Sequence, residues 1–227
     1  MFIKIINVNF YIKERALKTK EEQSKIFFIS DLHFGSDGTL IRENRPFKNA
    51  KCFAKKVIKI WNNQASKNDF IYCIGDFVNC NDEERFEWKE ALCLVQKIKA
   101  KIILVIGNNE EKLISEFFDG DFDEFRKYCL SLGFIDVVKD MHLEVEGLSL
   151  YLNHFPNNHK PDCINLFGHM HRAVGLWESY GLNMSCDLNH FQLFSIDEIK
   201  RVLELKAKWW KSHDSVCWVK DLLTYVK

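Results

Sequence analysis

Seven side chains able to hold a metal ion stand just past short apolar runs in this sequence. The run "FFIS" is followed by Asp31 and His33, "YCIG" by Asp76 and "LVIG" by Asn108. Further along, "LYLN" is followed by His154, and "NLFG" by His169 and His171. Carboxylate, amide oxygen and imidazole suit Mn, Fe, Zn or Ni better than an ion that prefers thiolates. Seven groups exceed what one tetrahedral ion requires. They suit two ions that share a bridging carboxylate, and ions roughly 3.5–4 Å apart can clamp a phosphoryl group during in-line attack. A single histidine after a strand is more often a cap or a core residue, and neither DxH nor GD is informative alone. The weight lies in the set, because each member holds the same position relative to its own strand.

Such a set needs strands that end at one rim. "IFFIS" (26–30), "DFIYCIGD" (69–76) and "KIILVIGN" (101–108) are near-continuous apolar runs, the pattern of strands buried on both faces. Residues 48–62 place Cys52, Phe53, Val57, Ile60 and Trp61 at helical spacing with lysines between them. Residues 82–99 repeat that pattern through Phe86, Ala91, Leu92, Val95 and Ile98, with Asp82 as N-cap. The β-α-β-α-β order predicts a largely parallel sheet, and ligands of open α/β sheets sit beyond the carboxyl ends of the strands. Residues 111–132 read as a helix, 142–153 as two strands about Gly147, and 163–169 and 182–187 as further strands. Residues 195–210 read as a terminal helix with Ser195 and Glu198 forming a capping box. Residues 2–12 alternate as a strand and 13–25 are a charged connector. With no repeat, low-complexity tract or Pro/Gly-rich linker, the expectation is one domain over residues 1–227. Residues 1–25 are then an extra N-terminal strand and connector, and 195–227 a C-terminal helical segment.

Composition narrows the function classes. The 227 residues are 47% hydrophobic and 28% charged, enough for a real core in an α/β domain, and 19 Phe predict that this core is rich in aromatics. A net charge of zero argues against tight binding to long duplex nucleic acid, which needs many phosphates neutralised. The eight Cys include no CxxC pair, and several, such as Cys73, sit in apolar runs. They read as small core residues in a reduced compartment. The N-terminal "MFIKIINVNFYIKER" lacks a continuous apolar segment, and no run is long enough to span a bilayer. The expected location is the cytoplasm, with no membrane partner; oligomeric state is left open.

In order, "DLH", "GDFVN", "GNNE", "NHFP" and "GHMHR" resemble the motifs of the calcineurin-like metallophosphoesterases, over about residues 26–200. The small bacterial and phage-type branch is the most similar, through "DLHFG" (31–35), "RPF" (45–47), "IWN" (60–62), "GDF" (75–77) and the late segment "LNMSCDLNHFQLFSIDEI". The resemblance implies a two-sheet α/β sandwich flanked by helices. It implies that Asp31, His33 and His171 bind a first divalent ion, that Asn108, His154 and His169 bind a second, and that Asp76 bridges them. Mn is the first expectation, with Fe, Ni or Zn as alternatives. A metal-held hydroxide would attack phosphorus in a phosphodiester of nucleotide type or, as second choice, in a phosphomonoester. The expected substrate is therefore a small phosphate ester or short nucleotide. Arg45 would either contact the phosphate or fix its loop.

The third motif departs from the family pattern. Asn109 stands where the resemblance places a histidine near the leaving-group oxygen. Asn109 can donate a hydrogen bond there but cannot act as a general acid. Good leaving groups, a proton from His159 or His190, or slow turnover would each accommodate this. The last option makes a metal-binding scaffold the rival reading. Ser36 and Asn79 are smaller departures. Glu110 and Glu111 read as acids favoured by a helix N-terminus. Trp209, Trp210 and Trp218 read as packing on the domain or on a second subunit, and "KAKWWK" (206–211) is too short a basic patch to bind nucleic acid.

Overall fold

The structure is a computed structural model, and it describes residues 24–79, 88–177 and 181–212, without the side chains of Trp177 and residues 208–212. The expected strand at 2–12, nearly all of the connector at 13–25, the Asp82 cap with the first turns of its helix, Trp218, and the side chains of Trp209 and Trp210 lie outside the described residues.

Strands β1 (Ile26–Ile29), β2 (Phe70–Ile74), β3 (Lys101–Val105) and β4 (Asp136–Val138) pair in parallel. Strand β10 (Phe194–Ser195) adds antiparallel to β1, giving the order β10-β1-β2-β3-β4. Side chains alternate across this sheet. Phe27, Ile29, Ile71 and Cys73 join one core, while Phe28, Tyr72 and Ile74 join another. Both faces are covered, which is why these runs carry no polar alternation.

The first core faces helices: α1 (Asp37–Arg42), α2 (Ala50–Gln64), α3 (Trp88–Leu92), α4 (Asn108–Phe117) and α5 (Phe122–Leu132). Phe53, Val57 and Trp61 of α2, Leu113 of α4 and Phe125 of α5 are buried there. As the composition predicts, the core is aromatic: the Phe34 ring lies 5.6 Å from Phe53, 6.3 Å from Trp61 and 5.1 Å from Phe77. The second core lies against a second sheet, built from β5 (Met141–Val145), β6 (Leu148–Leu152), β7 (Ile164–Phe167), β8 (Leu176–Trp177) and β9 (Gly181–Asn183) in the order β5-β6-β7-β9-β8. Helix α6 (Ile196–Ser212) buries Ile196 and Ile199 in the same core. The architecture is the expected two-sheet α/β sandwich flanked by helices.

Several elements differ from the sequence reading, among them the short helix α1 and the two-residue strands β8 and β10, which it did not include. The helix expected over 111–132 is two helices, broken where Asp119 and Gly120 take left-handed φ of 49° and 76° and Asp121 caps α5 through Glu124 N. Strand β4 is too short to show a period. The helix expected over 82–99 tightens into a 3₁₀ turn at Cys93–Lys97. Elsewhere local signals hold. Glu146 and Gly147, at φ 49° and 81°, close the β5–β6 hairpin, the geometry a two-residue turn with matching twist requires. Ser195 and Glu198 exchange capping bonds at the start of α6. The six described cysteines are free, and among the described residues no helix is long and apolar enough to cross a membrane.

One segment joins the two sheets at a common rim. Met184 N donates to Phe167 O at the end of β7, Ser30 N to Met184 O, and Cys186 N to Ser30 O. The carboxyl ends of β1 and β7 are thereby held side by side, and the loops that follow them face each other.

Candidate metal centre

Five of the seven polar residues leave their strands through an unusual backbone. Asp31, His33, Asp76, His169 and His171 all have positive φ, between 45° and 71°. Non-glycine residues rarely adopt this conformation, and each such residue costs about 1 to 3 kcal/mol unless its surroundings impose it. Here the surroundings do so. Asp31 N donates to Gly75 O and His33 N to Asp76 O, so the loops after β1 and β2 stay paired as they turn. Glycines make room between them. A Cβ on Gly75 would run into the His154 ring, and one on Gly107 into the Asp76 carboxylate.

The side chains converge in two groups. In the first, ligand atoms of Asp31, His33 and His171 lie within 4.8 Å of one another, and the His33 and His171 rings stack at 5.0 Å. In the second, Asn108 Oδ1 is 3.1 Å from His154 Nε2 and 2.9 Å from His169 Nδ1. Asp76 stands between them: its Oδ2 is 3.4 Å from His33 Nε2 and 3.6 Å from His154 Nε2. Asp31 crosses over as well. It lies within 4.8 Å of Asp76 and His154, and its Oδ1 accepts from His169 N at 2.8 Å.

The residues behind these groups orient them. His154 Nδ1 is 2.9 Å from Ile74 O, so Nδ1 carries the proton and Nε2 faces Asn108 and Asp76. His171 Nδ1 is 3.0 Å from Asp187 Oδ2. Arg45 is fully engaged away from solvent. It donates to both oxygens of Asp187 and to the carbonyls of Leu32 and Asp31. These bonds tie the buried Arg45 to the loop after β1 and to Asp187.

Asn109, the residue expected near a leaving group, stands in the first turn of α4 beside Asp76. Its side chain is turned back to donate to Asp76. Glu110 does more than favour a helix dipole. Wholly buried, its carboxylate accepts from the N–H groups of Gly107, Asp76, Phe77 and Val78, and so fastens the loop after β2 to the loop after β3. Asp187 was missed by the sequence reading although its signal was there, since it follows the run "LNMSC" as the seven polar residues follow theirs. His159 and His190 are both exposed on loops.

The electrostatics fit a bound cation. Burial, with help from His171, holds His33 well below the ordinary histidine range. Both its ring nitrogens are buried without a hydrogen-bond partner. Burial, and then the charge of Asp31, push Asp76 up despite His154 and Asn109. Burial opposes the charge on His154, but Asp76 and Asp31 raise it overall. Burial also opposes the charge on Asp187, yet bonds from His171 and Arg45 bring it down to about 2. Two buried carboxylates beside the orphaned ring nitrogens of His33 are a setting that suits a cation. Divalent ions would satisfy these groups together.

A family model described as calcineurin-like phosphoesterase matches residues 24–222. An uncharacterised protein of Methanocaldococcus jannaschii is 32% identical over 87 residues, 38% of this chain and 47% of that protein, so the chain matches about half the length of this curated relative. A solved structure, a protein of unknown function from Aquifex aeolicus, is similar at a TM-score of 0.54 and 19% identity, covering 79% of this chain and 99% of that one; this likeness shows the fold. A phosphoesterase from E. coli is similar at a TM-score of 0.42 and 15% identity, over 71% of this chain and 78% of that one, too low a score to add to the argument.

Proposed function

The chain belongs to the calcineurin-like phosphoesterases, and on that premise we propose that it is a dinuclear metal-dependent phosphohydrolase that prefers phosphodiesters of nucleotide type. The observation that carries the two-ion reading is the place of Asp76 Oδ2, 3.4 Å from a histidine of one group and 3.6 Å from a histidine of the other. A carboxylate so placed suits a bridge.

Asp31, His33 and His171 would hold one ion, Asn108, His154 and His169 the other, with Asp76 between them. When bound, such ions make water more acidic and neutralise charge on phosphoryl oxygens. The chain's own part is orientation. The Ile74 carbonyl fixes the tautomer of His154, Asp187 fixes that of His171, and Glu110 ties the loops that carry Asp76 and Asn108. No proton-donating side chain faces the leaving group at position 109, which favours diesters with good leaving groups. Mn is the proposed metal, with Fe, Ni or Zn as alternatives. The same proposal includes a single domain over residues 1–227 that works in the cytoplasm on a small phosphate ester or short nucleotide.

A second reading, a metal-binding scaffold with weak turnover, is favoured by Asn109 donating to Asp76 instead of standing free. One experiment separates the two. Metal-stripped protein is reloaded with Mn and offered a chromogenic phosphodiester and its monoester, with Asp76→Asn as control. Diester cleavage that the control lacks supports the enzyme reading. Faster monoester cleavage corrects the substrate class. Metal uptake with no turnover above the control replaces the enzyme with the scaffold.

A further inference from the structure

We propose that the buried Arg45–Asp187 ion pair is a positioning device for one of the two ions and not for the other; this inference rests on the two-ion reading above. Asp187 Oδ2 lies 3.0 Å from His171 Nδ1. An ionised carboxylate only accepts, so Nδ1 carries the proton and Nε2 keeps the lone pair that an ion needs. Arg45 holds that carboxylate with a planar fork, Nε to Oδ1 and Nη2 to Oδ2 at 2.8 Å each, a geometry that lysine cannot reproduce.

The same guanidinium reaches the loop after β1. It donates to Leu32 O at 2.7 Å and to Asp31 O at 2.6 Å, and this is the backbone that presents Asp31 and His33. Both side chains of the pair are fully buried, so water does not compete for these bonds. One ion pair thus ties together Asp31, His33 and His171, the three residues whose ligand atoms cluster within 4.8 Å. None of its hydrogen bonds reaches Asn108, His154 or His169, and His154 has its own support in the Ile74 carbonyl. Glu43 is the other acid beside His171, but at 3.9 Å it is beyond hydrogen-bond reach and does not replace Asp187.

The test is the metal stoichiometry of the full chain. Metal-stripped wild type, Asp187→Asn and Arg45→Lys are dialysed against graded Mn, bound metal is counted by elemental analysis, and melting in chelator is recorded alongside. The expected result is two ions in wild type. In each variant, one ion keeps its wild-type affinity while the other binds about 10–100-fold more weakly, the usual cost of losing such a supporting bond. Equal weakening of both ions, or a lower melting point with both ions retained, reduces the pair to general scaffolding and overturns the inference. Asp187→Asn leaves a buried guanidinium without its counter-charge. Should it fail to fold, Arg45→Lys, which keeps a cation at that position, carries the same outcomes. A wild-type chain that takes up only one ion overturns the two-ion reading instead. The role of the pair then stands if the variants weaken that ion, and falls if they do not.

Discussion

Asn109 meets the carboxylate of Asp76 twice: its backbone N–H donates to Oδ1 at 3.0 Å and its side-chain amide to Oδ2 at 2.8 Å. The first residues of α4 therefore steady the carboxylate of Asp76, two residues past the end of β2, and the side chain at 109 is turned toward it. Hydrogen bonds to charged groups contribute about 1.5–3 kcal/mol. Asn109→Ala is expected to lower diester hydrolysis by roughly tenfold, on the scale of that bond. The loss should be the same for good and poor leaving groups across a series of aryl phosphodiesters. A loss that grows with leaving-group pKa would instead place Asn109 at the leaving oxygen.

Glu110 offers a stability test that does not depend on metal. Four backbone N–H groups point at its buried carboxylate. A glutamine there has one acceptor oxygen, and its amide N–H groups would face other donors. Each buried N–H left unpaired costs about 1–3 kcal/mol. Glu110→Gln is expected to lose roughly 2–4 kcal/mol on that scale, measured by urea denaturation in chelator. An unchanged midpoint would mean that the loops after β2 and β3 hold together without this carboxylate.

Two glycines with the same φ separate strain from crowding. Gly75 and Gly147 both sit at φ 81°. A Cβ on Gly147 would meet nothing within 4 Å, whereas one on Gly75 would collide with the His154 ring and come within 2.8 Å of Gly107 Cα. Gly147→Ala should cost about 1 kcal/mol, the price of the left-handed conformation. Gly75→Ala should cost about 3 kcal/mol or more, because overpacking adds to it, and should also weaken Mn binding by displacing His154. Equal melting points for the two variants would contradict this account.

Tyr72 links the core between the sheets to alkaline pH. Its hydroxyl is buried without a partner, and burial pushes its pKa up to about 12. An acid whose folded pKa lies above its unfolded value of about 10 is favoured in its neutral form by folding. The associated stability is therefore complete below about pH 10 and is lost as pH rises through 12. Tyr72→Phe is expected to remove that loss. At neutral pH it should gain about 1 kcal/mol, since an unpaired buried hydroxyl is deleted with little change of shape. Denaturant midpoints of both proteins at pH 7 and pH 11 give the comparison, and a less stable Tyr72→Phe at pH 7 would show that the hydroxyl is paired in solution.

Much of the fold could be read locally. The runs at 26–30, 69–76 and 101–108 predict buried strands because burial on both faces removes polar alternation, and that pattern lies within a few residues. The capping box at Ser195 and the turn at Gly147 are equally local. The break at Asp119–Gly120 and the short strand β4 were not legible. The first depends on a left-handed turn that apolar periodicity does not register, and the second is held by its neighbour β3 more than by its own composition.

The sequence by itself determined which residue types stand past the end of each strand, and so the chemistry the rim can offer: two Asp, one Asn and four His, whose lone pairs suit divalent ions. The tertiary structure alone decided how they are held. Arg45 and Asp187 are 142 residues apart, and Asp76 and Glu110 are 34 apart; no local pattern relates such pairs. The left-handed backbone of Asp31, His33, Asp76, His169 and His171 is unfavourable in each residue alone. It persists because neighbouring loops satisfy the N–H and C=O groups it leaves behind. Side-chain roles followed from the same cause. Arg45 turned inward and Asn109 turned to Asp76, because in a closed rim each buried donor goes to the nearest acceptor that would otherwise be left unpaired.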